Sequence, residues 1–134
     1  MNVLLASSEV VPFSKTGGLA DVCGALPVEL ANTGATAMLI TPAYRCVKNS
    51  GLPIEATDIV LEIPIGNRVI EGRLLKSHLP DSNVPVYLVD QPDYYDRPAL
   101  YQEKGEDYRD NCQRFIFFSR AVLESIRLLE LDVD

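Results

Sequence analysis

The chain has 134 residues, a net charge of −7, 47% apolar residues and 23% charged residues. That is enough for one packed domain of ordinary globular composition, and no segment is low-complexity. The acidic balance argues against nucleic acid or an anionic membrane as a general partner, and no apolar run approaches the ~20 residues that span a bilayer.

Residues 3–7 (Val-Leu-Leu-Ala-Ser) form a continuous apolar run, the pattern of a strand buried on both faces of a parallel sheet. The start, Met1-Asn2-Val3-Leu4-Leu5-Ala6, has no basic leader and reads as a strand that begins at once. A loop with Pro12 leads to Gly17-Gly18, where a helical pattern opens: Leu19, Val22, Cys23, Leu26 and Leu30 share one spacing, and Gly34 marks a stop. Pro27 inside this pattern predicts a kink near Ala25-Leu26 or two abutting helices. Residues 36–41 form a second buried strand, so the order to this point is a βαβ unit. Residues 43–57 read as loop.

Residues 58–65 and 68–78 are two strands around Gly66-Asn67, a hairpin whose turn residues stand in the less favoured order. Residues 84–89 are another strand. Residues 91–106 are rich in loop signals, with Pro92, Pro98, Gly105 and three tyrosines. A helix from about 107 to 129 closes the pattern, its stripe being Cys112, Phe115, Ile116, Ser119, Val122, Leu123, Ile126 and Leu129. The alternation predicts an α/β fold with a mostly parallel sheet and flanking helices. It also predicts a further strand after this helix, so residues 1–134 read as one partial domain. An open sheet edge and an uncovered helix face are then expected, and with them self-association.

Cys23, Cys46 and Cys112 are odd in number and far apart, with neither metal-ligand spacing nor a disulfide framework. They fit structural thiols in a reducing cytoplasm. The chemistry-bearing segment is Ser14-Lys15-Thr16-Gly17-Gly18-Leu19-Ala20-Asp21-Val22, between the first strand and the first helix. Open α/β sheets bind ligands at that carboxyl-end position. Unpaired first-turn N–H groups and the helix dipole suit a phosphate there, and Lys15 can add a full charge. The segment is neither G-x-x-x-x-G-K-[ST] nor G-x-G-x-x-G. On these residues alone a tight turn with a solvated lysine is an equal reading, and the dipole alone accounts for Asp21.

Lys15-Thr16-Gly17-Gly18-Leu19-Ala20-Asp21-Val22 is similar to the signature near the N-terminus of bacterial glycogen synthases and plant starch synthases. Ser8-Glu9 with Pro12, Gly24-Ala25-Leu26-Pro27, Tyr95-Asp96-Arg97-Pro98 with Tyr101, and Asp110-Asn111 with Arg114-Phe115 fit the same family, in order along the chain. The resemblance implies a retaining GT-B glucosyltransferase with two Rossmann-like domains and a cleft between them. Such an enzyme transfers glucose from ADP-glucose to the non-reducing end of an α-1,4-glucan, without a metal or other cofactor. Carried over, Lys15 faces the diphosphate, and the Gly17-Gly18 backbone lies against the phosphates and the transferred sugar. Asp21 and Glu9 hold acceptor hydroxyls, and Tyr101 contacts the acceptor glucan. The family's histidine segment and its donor domain lie outside these 134 residues. The chain is therefore expected to be the first part of an N-terminal catalytic domain in a bacterial, cytoplasmic enzyme, and to be inactive alone.

Two other readings stay open: a GT-B transferase for a different nucleotide sugar, and a non-catalytic nucleotide- or glucan-binding module. Tyr94-Tyr95-Asp96 offers either a sugar platform or loop packing. Glu106, Asp107 and Asp110 make either a cation site or an acidic helix start. His78 stands apart from the glycine motif. Ser7, Ser8 and Ser14 have no paired base to make a nucleophile.

Overall fold

The computed structural model describes residues 1–134. The chain opens with β1 (Asn2–Ala6), α1 (Gly18–Asn32) and β2 (Thr36–Pro42). A single turn, α2 (Arg45–Lys48), precedes the hairpin of β3 (Glu55–Ile65) and β4 (Arg68–His78). Then come β5 (Pro85–Asp90), the single turn α3 (Pro92–Tyr95), the two-residue strands β6 (Gln102–Glu103) and β7 (Glu106–Asp107), and α4 (Asn111–Leu128).

The main sheet has the order β1-β2-β5-β4-β3. β1 pairs parallel with β2 and β2 with β5, while β4 is antiparallel to both β5 and β3. Only β4 therefore runs against the rest, and the expected Rossmann-like sheet is present with a hairpin added to one side. Residues 37–42 of β2 and 86–89 of β5 are buried, as their continuous apolar runs require. β1 carries the same kind of run but lies at the edge and is only half-buried.

Several expectations change, beginning with residues 43–57, expected as loop, which hold α2 and the start of β3. α1 is continuous through Pro27, whose ring is buried, so the helix tolerates the lost hydrogen bond and does not split. Its buried residues are Ala20, Cys23 and Pro27, while Leu19, Val22 and Leu26 are exposed. The reason is close approach: a Cβ on Gly24 would stand 2.7 Å from the Val11 carbonyl oxygen, so this helix lies down on its small-residue side. α4 is rotated in the same sense, with Arg114, Phe117, Phe118, Ala121 and Ser125 buried and Ile116 and Leu123 exposed. Large apolar side chains are thus exposed on both long helices.

The hairpin turn also differs. Gly66 has φ +61° and Asn67 is not in the positive-φ region, the sign pattern of a type II′ turn, for which glycine belongs first. Ile65 and Arg68 pair directly across it. Finally, residues 106–107 belong to β7, and the last helix starts at Asn111.

Candidate functional site

The carboxyl ends of β1, β2 and β5 meet on one side of the sheet. They deliver the segments after Ala6, after Pro42 and after Asp90 to the same place. The first is the glycine loop. Ser14 N–H donates to the Val10 carbonyl at 2.9 Å and Val11 N–H to the Ala20 carbonyl at 3.1 Å, which folds the loop back onto α1.

Gly17 is the N-cap of α1, with φ −160°, an extended backbone open to any residue. A Cβ on Gly17 or Gly18 would meet nothing within 4 Å. Neither backbone geometry nor packing inside this chain calls for these glycines, although glycine in a helical turn costs about 0.5–1 kcal/mol relative to alanine. The N–H groups of Gly18 and Leu19 have no acceptor within the chain, and both residues are exposed. This is an open, donor-lined surface at the positive end of a fifteen-residue helix.

The remaining site residues gather around it. Lys15 Nζ lies 2.8 Å from both carboxylate oxygens of Asp21. The two residues given separate roles are therefore partners here. The pair is about half-exposed, and such pairs contribute ~0–1 kcal/mol, so a more highly charged anion can displace Asp21 from the lysine. Glu9 is 2% exposed. Its Oε1 accepts from Gly17 N–H at 3.1 Å, and its Oε2 accepts from Thr16 Oγ1 at 2.6 Å and from the Tyr101 hydroxyl at 2.9 Å. Burial pushes the Glu9 carboxyl up, but these hydrogen bonds outweigh burial and hold it below the ordinary glutamate value. Burial, with the Glu9 charge beside it, pushes the Tyr101 phenol up to about 12, so it remains a proton donor.

Behind Tyr101 stands Arg114, fully buried and without a carboxylate partner. Its Nε donates to the Tyr94 carbonyl at 2.7 Å, and its Nη1 to the Leu100 carbonyl at 2.9 Å and to Asn111 Oδ1 at 2.7 Å. Asn111 Nδ2 donates to the Tyr101 carbonyl at 2.9 Å. The Tyr95 hydroxyl donates to the Arg114 carbonyl at 2.8 Å, and its ring meets Tyr44 edge-on at 5.6 Å.

The structure thus brings Lys15, Gly17, Gly18, Asp21, Glu9 and Tyr101 into one region. Tyr94 and Tyr95 are buried in the core, so they pack the loop and offer no sugar platform. Asp110 is taken by a two-pronged ion pair with Arg97 at 2.7 and 2.6 Å, which holds its carboxyl below the ordinary range. His78 pairs with Pro85, at the amino end of β5 and the far end of the sheet. Sequence reasoning assigned no role to Thr16, Tyr44 or Arg114. For Arg114 a signal existed: a charged residue three positions before Phe117 on an apolar helix face.

Residues 2–134 match the family model for the starch synthase catalytic domain. The chain belongs to that family. It is 46% identical to a glycogen synthase of Rhodopirellula baltica, over 100% of this chain and 28% of the relative. It is 46% identical to a glycogen synthase of Syntrophotalea carbinolica, over 94% of this chain and 26% of the relative. The fold is similar to the catalytic domain of starch synthase IV from Arabidopsis thaliana, solved bound to ADP and acarbose. That match has a TM-score of 0.83 and 27% identity, and covers 99% of this chain and 26% of that one. The chain therefore spans about a quarter of the length of these starch synthase family members.

Proposed function

We propose that this chain is the first part of the N-terminal domain of a GT-B glucosyltransferase that moves glucose from ADP-glucose to an α-1,4-glucan with retention. The observation that carries the reading is the pair of glycines that the fold itself does not need, set beside free helix-start N–H groups and Lys15. A ligand backbone or phosphate pressed against that surface explains them. The family membership and the ADP and acarbose bound by the Arabidopsis relative support the same substrates.

In this reading Lys15 and the Gly17-Gly18 backbone take the diphosphate. As the leaving diphosphate gains negative charge, a cation and oriented N–H groups stabilise it. Asp21, released from Lys15, turns to an acceptor hydroxyl; Glu9 and Tyr101 line the acceptor side. The chain alone carries no transfer, and the enzyme works in the cytoplasm. The exposed Leu19, Val22 and Leu26 and the open side of β1 are surfaces for further protein, including a second copy of this chain.

The test is Lys15→Ala in the full-length protein that carries this chain, assayed with ADP-glucose and glycogen. The turnover rate should fall about a hundredfold, the scale of losing one group that stabilises transition-state charge. Glycogen binding should change far less. Equal losses in both would remove Lys15 from the phosphate. Faster transfer from another nucleotide glucose would move the reading to a different donor, and no transfer from any would leave a binding module.

A further inference from the structure

Glu9 and Tyr101 are 92 positions apart, yet they meet directly and, with Ser8 beside them on the same hydroxyl, link the glycine loop to the segment that follows β5. We propose that they are positioning residues: their contact carries the geometry of the glucan-side segment into the phosphate-side glycine turn. This rests on the phosphate reading of that turn.

The hydrogen bonds form one continuous path. Arg114, rooted in α4, fixes Asn111 and the Leu100 carbonyl. Asn111 and the Tyr108 N–H both donate to the Tyr101 carbonyl, at 2.9 and 3.0 Å. The Tyr101 ring packs on Phe115, with centroids 5.8 Å apart. Its hydroxyl has one proton. That proton goes to Glu9, which as a carboxylate only accepts, and so Ser8, 2.8 Å away, donates to the phenol oxygen. Glu9 closes the path at the Gly17 N–H.

Two features make this path a control on the turn. First, α1 has no side-chain cap of its own, since its N-cap residue is glycine. The Glu9 carboxylate instead fixes the N-cap residue itself from outside the helix, holding both the Thr16 hydroxyl and the Gly17 N–H. Second, Glu9 is 2% exposed with three donors on it, so it is closed to a sugar hydroxyl as it stands. Its effect on a ligand passes through Gly17. Removing the Tyr101 hydroxyl takes away one of the three donors, loosens the carboxylate and shifts the turn, without touching any atom of the diphosphate surface.

The experiment is Tyr101→Phe in the full-length protein, a change that keeps the ring on Phe115. ADP affinity is measured by calorimetry with no glucan present. We expect roughly threefold weaker ADP binding or more, within the range for coupling residues that contact neither ligand. Unchanged ADP affinity with only a raised KM for glucan would make Tyr101 a plain acceptor contact and overturn the proposal. In parallel, the Gly17 amide resonance of glycine-labelled protein is followed through an acid titration. Its midpoint should lie below the ordinary glutamate range of about 4.3 and rise in Tyr101→Phe. A midpoint that stays put overturns the link. If the unaltered protein binds no ADP, the phosphate reading fails while the titration still decides whether the link exists.

Discussion

The β3–β4 hairpin and the 91–110 segment are of similar length and are held in opposite ways. The hairpin pairs along most of its course, from Glu55↔Lys76 to Ile65↔Arg68, with one irregularity between Ala56 and Val60. Its stability is spread over many repeated backbone bonds, and much of its outer face is exposed. The 91–110 segment has only two backbone pairings of its own, Gln102↔Asp107 and Glu103↔Glu106. Short turn bonds over 91–97 and the Tyr108 N–H on the Tyr101 carbonyl add to these, and the rest is held by a few side chains: Gln91 capping Tyr94 N–H, Arg97 on Asp110, and Arg114 on three acceptors. A region held by repetition tolerates single changes. A region held by three or four side chains does not, and Tyr101, one side of the site, stands on the second kind.

Three substitutions test that contrast. The largest effect is expected from Arg114→Met. The thioether replaces the apolar stem, but the Tyr94 and Leu100 carbonyls and Asn111 Oδ1 lose their donor inside the core. Leaving a buried acceptor unmade costs about 1–3 kcal/mol each, partly offset by no longer burying a guanidinium. Unfolding in urea should show a net loss of about 2–4 kcal/mol, and a loss below about 1 kcal/mol would show that the segment is held by other means. Next is Gly72→Ala, which tests where the hairpin stops being tolerant. Its new Cβ would stand 2.8 Å from Phe117 Cζ and 3.0 Å from the Asp90 carbonyl oxygen, so the Phe117 ring and the β5 backbone must give way, at about 1–3 kcal/mol in the same measurement. Smallest is Val69→Thr on the exposed face of β4, where the side chain is 65% exposed. The unfolding midpoint should move by no more than about 0.5 kcal/mol equivalent.

What could be read in the sequence follows the same division. β2, β5 and both hairpin strands were legible because their patterns are local and periodic. The helices were legible as helices but not in rotation. Periodicity weighs large apolar residues, whereas α1 buries small ones, and α4 buries Ala121, Ser125 and an arginine along with Phe117 and Phe118. The Gly66-Asn67 order looked unfavourable because the type I′ turn was the reference; the chain uses the turn that wants glycine first. At the site, Lys15, Gly17, Gly18 and Asp21 were legible as one contiguous motif. The Lys15–Asp21 pairing and the Glu9–Tyr101 contact were not, since no spacing rule reports which charges meet. The burial of Tyr94 and Tyr95 was also hidden, because it depends on where Arg114 sits in α4.

The distribution of aromatic residues has a practical consequence for spectroscopy. The chain has no tryptophan and six tyrosines. Tyr94, Tyr95, Tyr101 and Tyr108 lie in the side-chain-held segment, Tyr44 packs on Tyr95, and Tyr87 is in β5. None lies in the β3–β4 hairpin. Intrinsic fluorescence and near-ultraviolet dichroism therefore record mainly the loosening of the 91–110 segment and see the hairpin only through Tyr87, which pairs with Lys76 of β4. Amide hydrogen exchange, which sees both, would separate two events that an optical melting curve merges into one.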